Sequence, residues 1–136
     1  MSTAPKEIVK RFYESDFIKE ENLLEQFFHP EFSLVWNNSD GISVLNYEDM
    51  RGFFQEIRRT YSDLQIEISH LLPSDNQVTI RYYAKRYLED QEEDINIAHF
   101  IAIFEIKEGK IFKGFQISQP ISTTDEIKDF YTPVKI

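Results

Sequence analysis

Acid–base chemistry needs groups that can exchange a proton near neutral pH, and in this chain the three histidines, His29, His70 and His99, are the first candidates. There is no cysteine, so disulfides, thiolate metal ligands and cysteine nucleophiles are excluded. No carboxylate stands at ligand spacing from His70 or His99, and no metal site is expected. His29 precedes Pro30 at a helix end and reads as a capping or packing residue. His99 is the best general acid–base candidate, although strand alternation sets it among isoleucines. A β-bulge would reverse that placement. The sequence contains no Gly-rich phosphate loop, no nucleophile elbow and no Ser/His/Asp arrangement, and no cofactor is implied.

The carboxylates sort differently. The 136 residues carry 24 Asp+Glu against 15 Lys+Arg, a formal charge of −9. That sign argues against nucleic acid and anionic membrane partners. Five of the acids crowd positions 89–94, Glu67 and Glu105 fall on the polar phase of their strands, and others decorate helix surfaces. The apolar side is unusually aromatic, with 12 Phe, 7 Tyr and 1 Trp, more rings than the helices alone need. No targeting signal or membrane-length apolar run is visible, which makes the cytoplasm the expected location. Without linkers or repeats, residues 1–136 read as one domain with a core over about 5–120 and a tail over 121–136.

The elements that must position these groups follow from periodicity. Pro5 opens a helix with Ile8, Val9, Phe12 and Tyr13 at three-and-four spacing. A second helix from about Glu20 buries Leu23, Leu24, Phe27 and Phe28 and stops at His29-Pro30. Residues 32–36 read as a short strand closed by a turn over 37–41. Asn46 and Asp49 start a third helix striped by Met50, Phe53, Phe54, Ile57 and Tyr61. Period-two alternation then predicts strands over 64–70, 78–88, 95–106 and 110–119. Helices followed by an antiparallel meander give an α+β fold, three N-terminal helices packed on one face of a curved sheet. Neither of the last two strands has a wet face: Ile95, Ile97, His99, Ile101 and Ile103 alternate with Ala98, Phe100, Ala102, Phe104 and Ile106. One side packs on the helices. The other is expected to meet a second copy in a homodimer, unless residues 121–136 fold back over it.

Three segments carry a resemblance: Phe27-Phe28-His29-Pro30-Glu31-Phe32, Tyr61-Ser62-Asp63-Leu64, and the hairpin from Phe104 through Lys107-Glu108-Gly109 to Ile111. In this order they resemble the SnoaL-like branch of the nuclear transport factor 2-like superfamily, over roughly residues 5–120. The resemblance implies a cone in which the sheet wraps the helices around a deep pocket. Carried over strand by strand, it implies pocket positions for Phe12, Trp36, Phe54, Tyr82, Arg86, Phe100, Phe104, Phe112, Gln116 and Ser118, with Ile111, Lys113, Phe115 and Ile117 facing a partner. It also implies what is missing. The polar positions of ketosteroid isomerases fall on Phe12, Trp36, Ala102 and Phe54. The aspartate of related cyclases falls in Gln116-Ile117-Ser118-Gln119-Pro120, where an amide cannot shuttle a proton. For epoxide hydrolase chemistry Arg86 has no inward carboxylate beside it. Only Asp16 and Asp40 approach the pocket, and both fit caps or turns better.

The resulting expectation is a protein that binds a small hydrophobic or aromatic ligand, dimeric through its outer sheet face. The alternative is an isomerase, cyclase or dehydratase acting on a hydrophobic carbonyl compound with Tyr82, His99 or Arg86 as its acid–base groups.

Overall fold

A computed structural model describes residues 4–88 and 93–121. The elements run α1 (Pro5–Tyr13), α2 (Leu23–Phe27), β1 (Phe28–Asn38), β2 (Gly41–Asn46), α3 (Tyr47–Thr60), β3 (Gln65–Ser74), β4 (Gln77–Leu88), β5 (Glu93–Lys107) and β6 (Lys110–Pro120). The strands form one sheet in the order β2-β1-β6-β5-β4-β3. All neighbours are antiparallel except β1 and β6, which pair in parallel. This is the expected α+β cone: the helices fill one face of a curved sheet, and the core lies between them. No helix among the described residues is long and apolar enough to cross a membrane.

Local chemistry accounts for the helices. In α1, Pro5 occupies the first turn, where its missing N–H costs nothing, and Ile8, Val9, Phe12 and Tyr13 are buried. In α3, the Asn46 side chain accepts from the Asp49 N–H and the Asp49 carboxylate accepts from the Asn46 N–H, each at 2.9 Å. This capping box satisfies two amides that the first turn would otherwise leave free. The helix then buries Met50, Phe54 and Ile57.

Two elements differ from the sequence reading. Helix α2 ends at Phe27, and Phe28, His29 and Pro30 open β1 instead of closing the helix. Pro30 is tolerated there because the β1–β6 ladder is interrupted between Phe28 and Ser33. The turn over 37–41 is real, with Asn38 Oδ1 accepting from the Asp40 N–H at 2.8 Å and Gly41 at φ 117°. It leads into an unforeseen strand, β2, whose Ile42 and Val44 are largely exposed and so carry no burial pattern.

Three bulges set which residues face inward. Ile68 pairs with Tyr82 but His70 pairs with Arg81, leaving Ser69 as the extra residue of β3. Its Oγ donates to the Arg81 carbonyl at 3.1 Å and accepts from the Arg81 guanidinium at 2.8 Å, which fastens the bulge. Ala84 pairs with Ala98 but Lys85 with Asn96, so Ile97 is the extra residue of β5. Glu105 pairs with Lys113 but Ile106 with Ile111, so Phe112 is extra in β6. A one-residue slip turns a side chain to the opposite face.

The sheet face away from the helices carries a band of exposed apolar side chains. One cross-strand row runs Val44–Val35–Phe115–Ile103–Thr79–Leu72, and the next Ile42–Asn37–Ile117–Ile101–Arg81–His70. Phe115 and Ile117 are 59% and 64% exposed, and Ile101 and Ile103 are also exposed.

Candidate functional site

Between α1, α3 and the concave face of the sheet lies a cavity of about 340 Å³. It is formed because inward positions of β4, β5 and β6 are given to Tyr82, Phe100 and Gln116 while α1 and α3 offer Phe12, Phe53 and Phe54. Phe12 lies at its helical end, with ring centroids 5.0 Å from Phe17 and Phe28 and 6.0 Å from Phe54. On the sheet side Tyr82 and Phe100 stack at 4.7 Å with only 8° between their planes. Trp36 stands edge-on to Phe53 at 5.2 Å and tilts against Phe100 at 6.2 Å.

The polar groups of the cavity converge on one place. The Tyr82 hydroxyl donates to Gln116 Oε1 at 2.9 Å and lies 3.2 Å from the Tyr13 hydroxyl. A phenol has one proton. With that of Tyr82 committed to Gln116, the contact between the two phenols is completed by the proton of Tyr13. Burial pushes the pKa of both phenols well above the ordinary phenolic range; the neighbouring Tyr13 adds to the rise at Tyr82, and the bond to Tyr82 partly offsets the rise at Tyr13. Both are neutral donors at any physiological pH.

Buried phenols make stability depend on pH. The unfolded chain ionises them near pH ~10, while the folded chain keeps them neutral. Their stabilisation is complete below that pH and lost as pH rises through the higher folded-state values. Unfolding free energy is expected to fall above pH ~10 by about 1.4 kcal/mol per pH unit for each retained proton. Urea denaturation across that range measures the slope, which Tyr82→Phe should reduce.

Of the positions the resemblance implied, Phe12, Trp36, Phe54, Tyr82, Phe100, Phe104 and Gln116 line the cavity. Phe112 does not. As the extra residue of its bulge it turns away, edge-on to His29 at 4.9 Å and beneath the Lys107 ammonium at 4.6 Å, and Ile111 is buried in its stead. Ser118 stands one layer back, where its Oγ accepts from Trp36 Nε1 at 2.8 Å and fixes the indole. Arg86 lies over the Tyr61 ring, 6.0 Å from its centroid, outside the cavity wall.

His99 is not in the wall either. A bulge does interrupt its strand, but at Ile97, two residues earlier, and it leaves His99 on the isoleucine phase. Ile97 therefore leaves the isoleucine face and joins Ala98 and Phe100 in the cavity lining. His99 remains on the outer face, opposite Tyr83 and Gln119. His29 accepts from the Glu31 N–H through Nδ1 at 3.0 Å and meets Glu108 at 3.3 Å. Asp16 accepts from the N–H groups of Ile18 and Lys19, both at 3.0 Å, and Asp40 lies in the β1–β2 turn. Neither acid lines the cavity.

The functional residue missed in the sequence is Tyr13. Its signal was present: a tyrosine on the apolar stripe of α1 must find a partner for its hydroxyl once buried. Among the described residues no cluster of three metal-ligating side chains exists.

A sequence profile for the SnoaL-like domain matches residues 9–113, and the chain belongs to this family. No curated protein matches it. Among solved structures it is similar to IdmH, a proposed polyketide cyclase from Streptomyces antibioticus, at 14% identity and a TM-score of 0.70, covering 85% of this chain and 92% of that one. It is also similar to a phenazine biosynthesis-related protein from Pseudomonas aeruginosa, at 15% identity and 0.66, covering 84% and 74%. A third, from Catenulispora acidiphila, has a ketosteroid isomerase-like fold and was crystallised with trimethylamine; identity is 15%, TM-score 0.63, and coverage 84% and 85%. At these identities the likeness is one of fold, and chemistry has to be argued from the site.

Proposed function

We propose that this protein binds a small, mostly apolar organic molecule in the aromatic cavity, and that it does so as a homodimer through the outer sheet face. The observation that carries the binding reading is the cavity itself: about 340 Å³ lined by rings, with the buried phenols bonded to one another and to Gln116. That is the composition of a preformed small-molecule site. The enzyme alternative keeps Tyr82 as its one group in the wall, and this phenol is a poor acid–base catalyst because burial drives its pKa away from neutrality. A wall residue that holds its proton is suited to recognition.

Trp36 is the only tryptophan and part of the wall, so its fluorescence reports occupancy directly. Flat aromatic ketones and hydrocarbons should quench it saturably and raise the melting temperature. Ala98→Phe, which fills the cavity from β5, should abolish both effects while the circular dichroism stays unchanged. If no compound of either class quenches Trp36, the binding reading fails.

The dimer reading is supported by charge as well as by exposure. A chain of net charge −9 repels its own copy over most of its surface. The outer sheet rows carry many exposed apolar side chains and, of the charged ones, only Arg81, so a second copy can approach there against little like-charge repulsion.

A further inference from the structure

Building on the reading of the cavity as a ligand site, we infer that its ligand is an uncharged planar molecule whose carbonyl oxygen accepts a hydrogen bond from the Gln116 side-chain amide. The Gln116 oxygen is occupied by the Tyr82 proton, and this bond assigns the amide orientation. Its nitrogen has two N–H donors and no hydrogen-bond partner among the described residues. Every fully buried side-chain nitrogen or oxygen among those residues does have a partner, so this nitrogen is not sealed in the core. Since Gln116 lines the cavity, its free donors face the space a ligand would fill.

Apart from the Tyr61 hydroxyl, the other side-chain donors of the lining are already used. The indole N–H of Trp36 is given to Ser118, and the Tyr13 and Tyr82 protons are consumed along the chain that ends on Gln116. What remains is a donor, so the matching ligand group is an acceptor. The rest of the lining is largely aromatic and apolar, with Phe12, Trp36, Phe53, Phe54 and Phe100 around the space, which favours a flat, ring-bearing molecule.

Charge is excluded on both sides. Among the described residues Glu56 is the one charged residue in the lining, and it is bonded to Arg59 and to the Thr60 hydroxyl. Among the described residues no cation stands in the wall to compensate a carboxylate, because the arginine on the inward phase of β4, Arg86, lies over Tyr61 instead. An anion would lose its hydration for uncharged donors alone, and a cation would meet only a carboxylate already paired with Arg59.

Three probes of one shape separate the possibilities by Trp36 quenching and calorimetry: fluorene, with no acceptor; fluorenone, with one carbonyl; and a fluorenone carboxylate. Fluorenone is expected to bind roughly fivefold or more tighter than fluorene, the equivalent of about one net hydrogen bond. The carboxylate should bind more weakly than fluorenone. Gln116→Met should erase the preference for fluorenone over fluorene while fluorene still binds. Because that change orphans the Tyr82 hydroxyl, the double variant Tyr82→Phe, Gln116→Met provides the second measurement, with donor and acceptor removed together. Equal binding of the three probes, tighter binding of the carboxylate, or a ketone preference that survives both variants overturns the inference and leaves the cavity as a ligand site. Failure of all three probes to bind overturns the binding reading and this inference with it.

Discussion

Replacing Gly114 by alanine is expected to lower the unfolding free energy by about 1–3 kcal/mol, the range for forcing extra volume into a filled core. Gly114 sits on the cavity side of β6, paired with Phe104 of β5 and Leu34 of β1. A Cβ there would stand 2.7 Å from Phe104 Cε1 and 2.9 Å from Leu34 Cδ1. Ordinary carbon contacts begin near ~3.5 Å. Phe104 and Leu34 are both 3% exposed, so neither can swing into solvent to make room. Backbone freedom is not the reason for glycine here, because the positive-φ glycines are Gly41 and Gly109. Gly52 supplies the control. It lies inside α3, where an added Cβ would have nothing within 4 Å, and alanine there should stabilise the protein by about 0.5–1 kcal/mol through helix propensity. Urea denaturation of the two variants should therefore move in opposite directions. A neutral Gly114→Ala would mean that the Phe104 ring shifts freely, and the cavity wall it belongs to would then lack the rigidity a selective site needs.

Periodicity reads a strand's alternation well and its interruptions not at all. The helices, the long strands and the inward placement of Tyr82, Phe100, Phe104 and Gln116 were legible because each lies in an unbroken run of alternating or three-and-four spacing. Phe112 was misplaced because it is the residue that breaks the run: before it Ile111 faces in, after it Gly114 and Gln116 do, and the slip adds no unusual residue to the sequence. Ile97 was misplaced for the same reason. A bulge is chosen by the curvature of the whole sheet, which a local pattern does not encode. Strand β2 escaped notice for a different reason. Its Ile42 and Val44 face outward, so the cue that marks a half-buried strand points away from the core. The hydroxyl chain from Tyr13 to Gln116 spans α1, β4 and β6, and only the tertiary fold brings those three together.

Phe115→Glu should convert a dimer into a monomer without unfolding it. Phe115 occupies the middle of the first outer row, between Val35 and Ile103, and is 59% exposed, so in the single chain it supports little of the core. In a two-fold interface the same patch meets itself, and every substitution acts twice. Each copy would lose the burial of a large ring, worth about 1.5–3 kcal/mol, and would bring an unpaired carboxylate into an apolar contact. Together these should weaken association by at least about a hundredfold, at roughly 1.4 kcal/mol per factor of ten. Light scattering should give twice the 16.2 kDa chain mass for the parent and the single mass for the variant, with matching circular dichroism. The cavity lies on the opposite side of the sheet, so quenching of Trp36 by fluorenone should survive in the monomer. A parent that runs as a single chain would overturn the dimer, because the exposed rows of Ile42, Val44, Phe115 and Ile117 would then be covered by something other than a second copy.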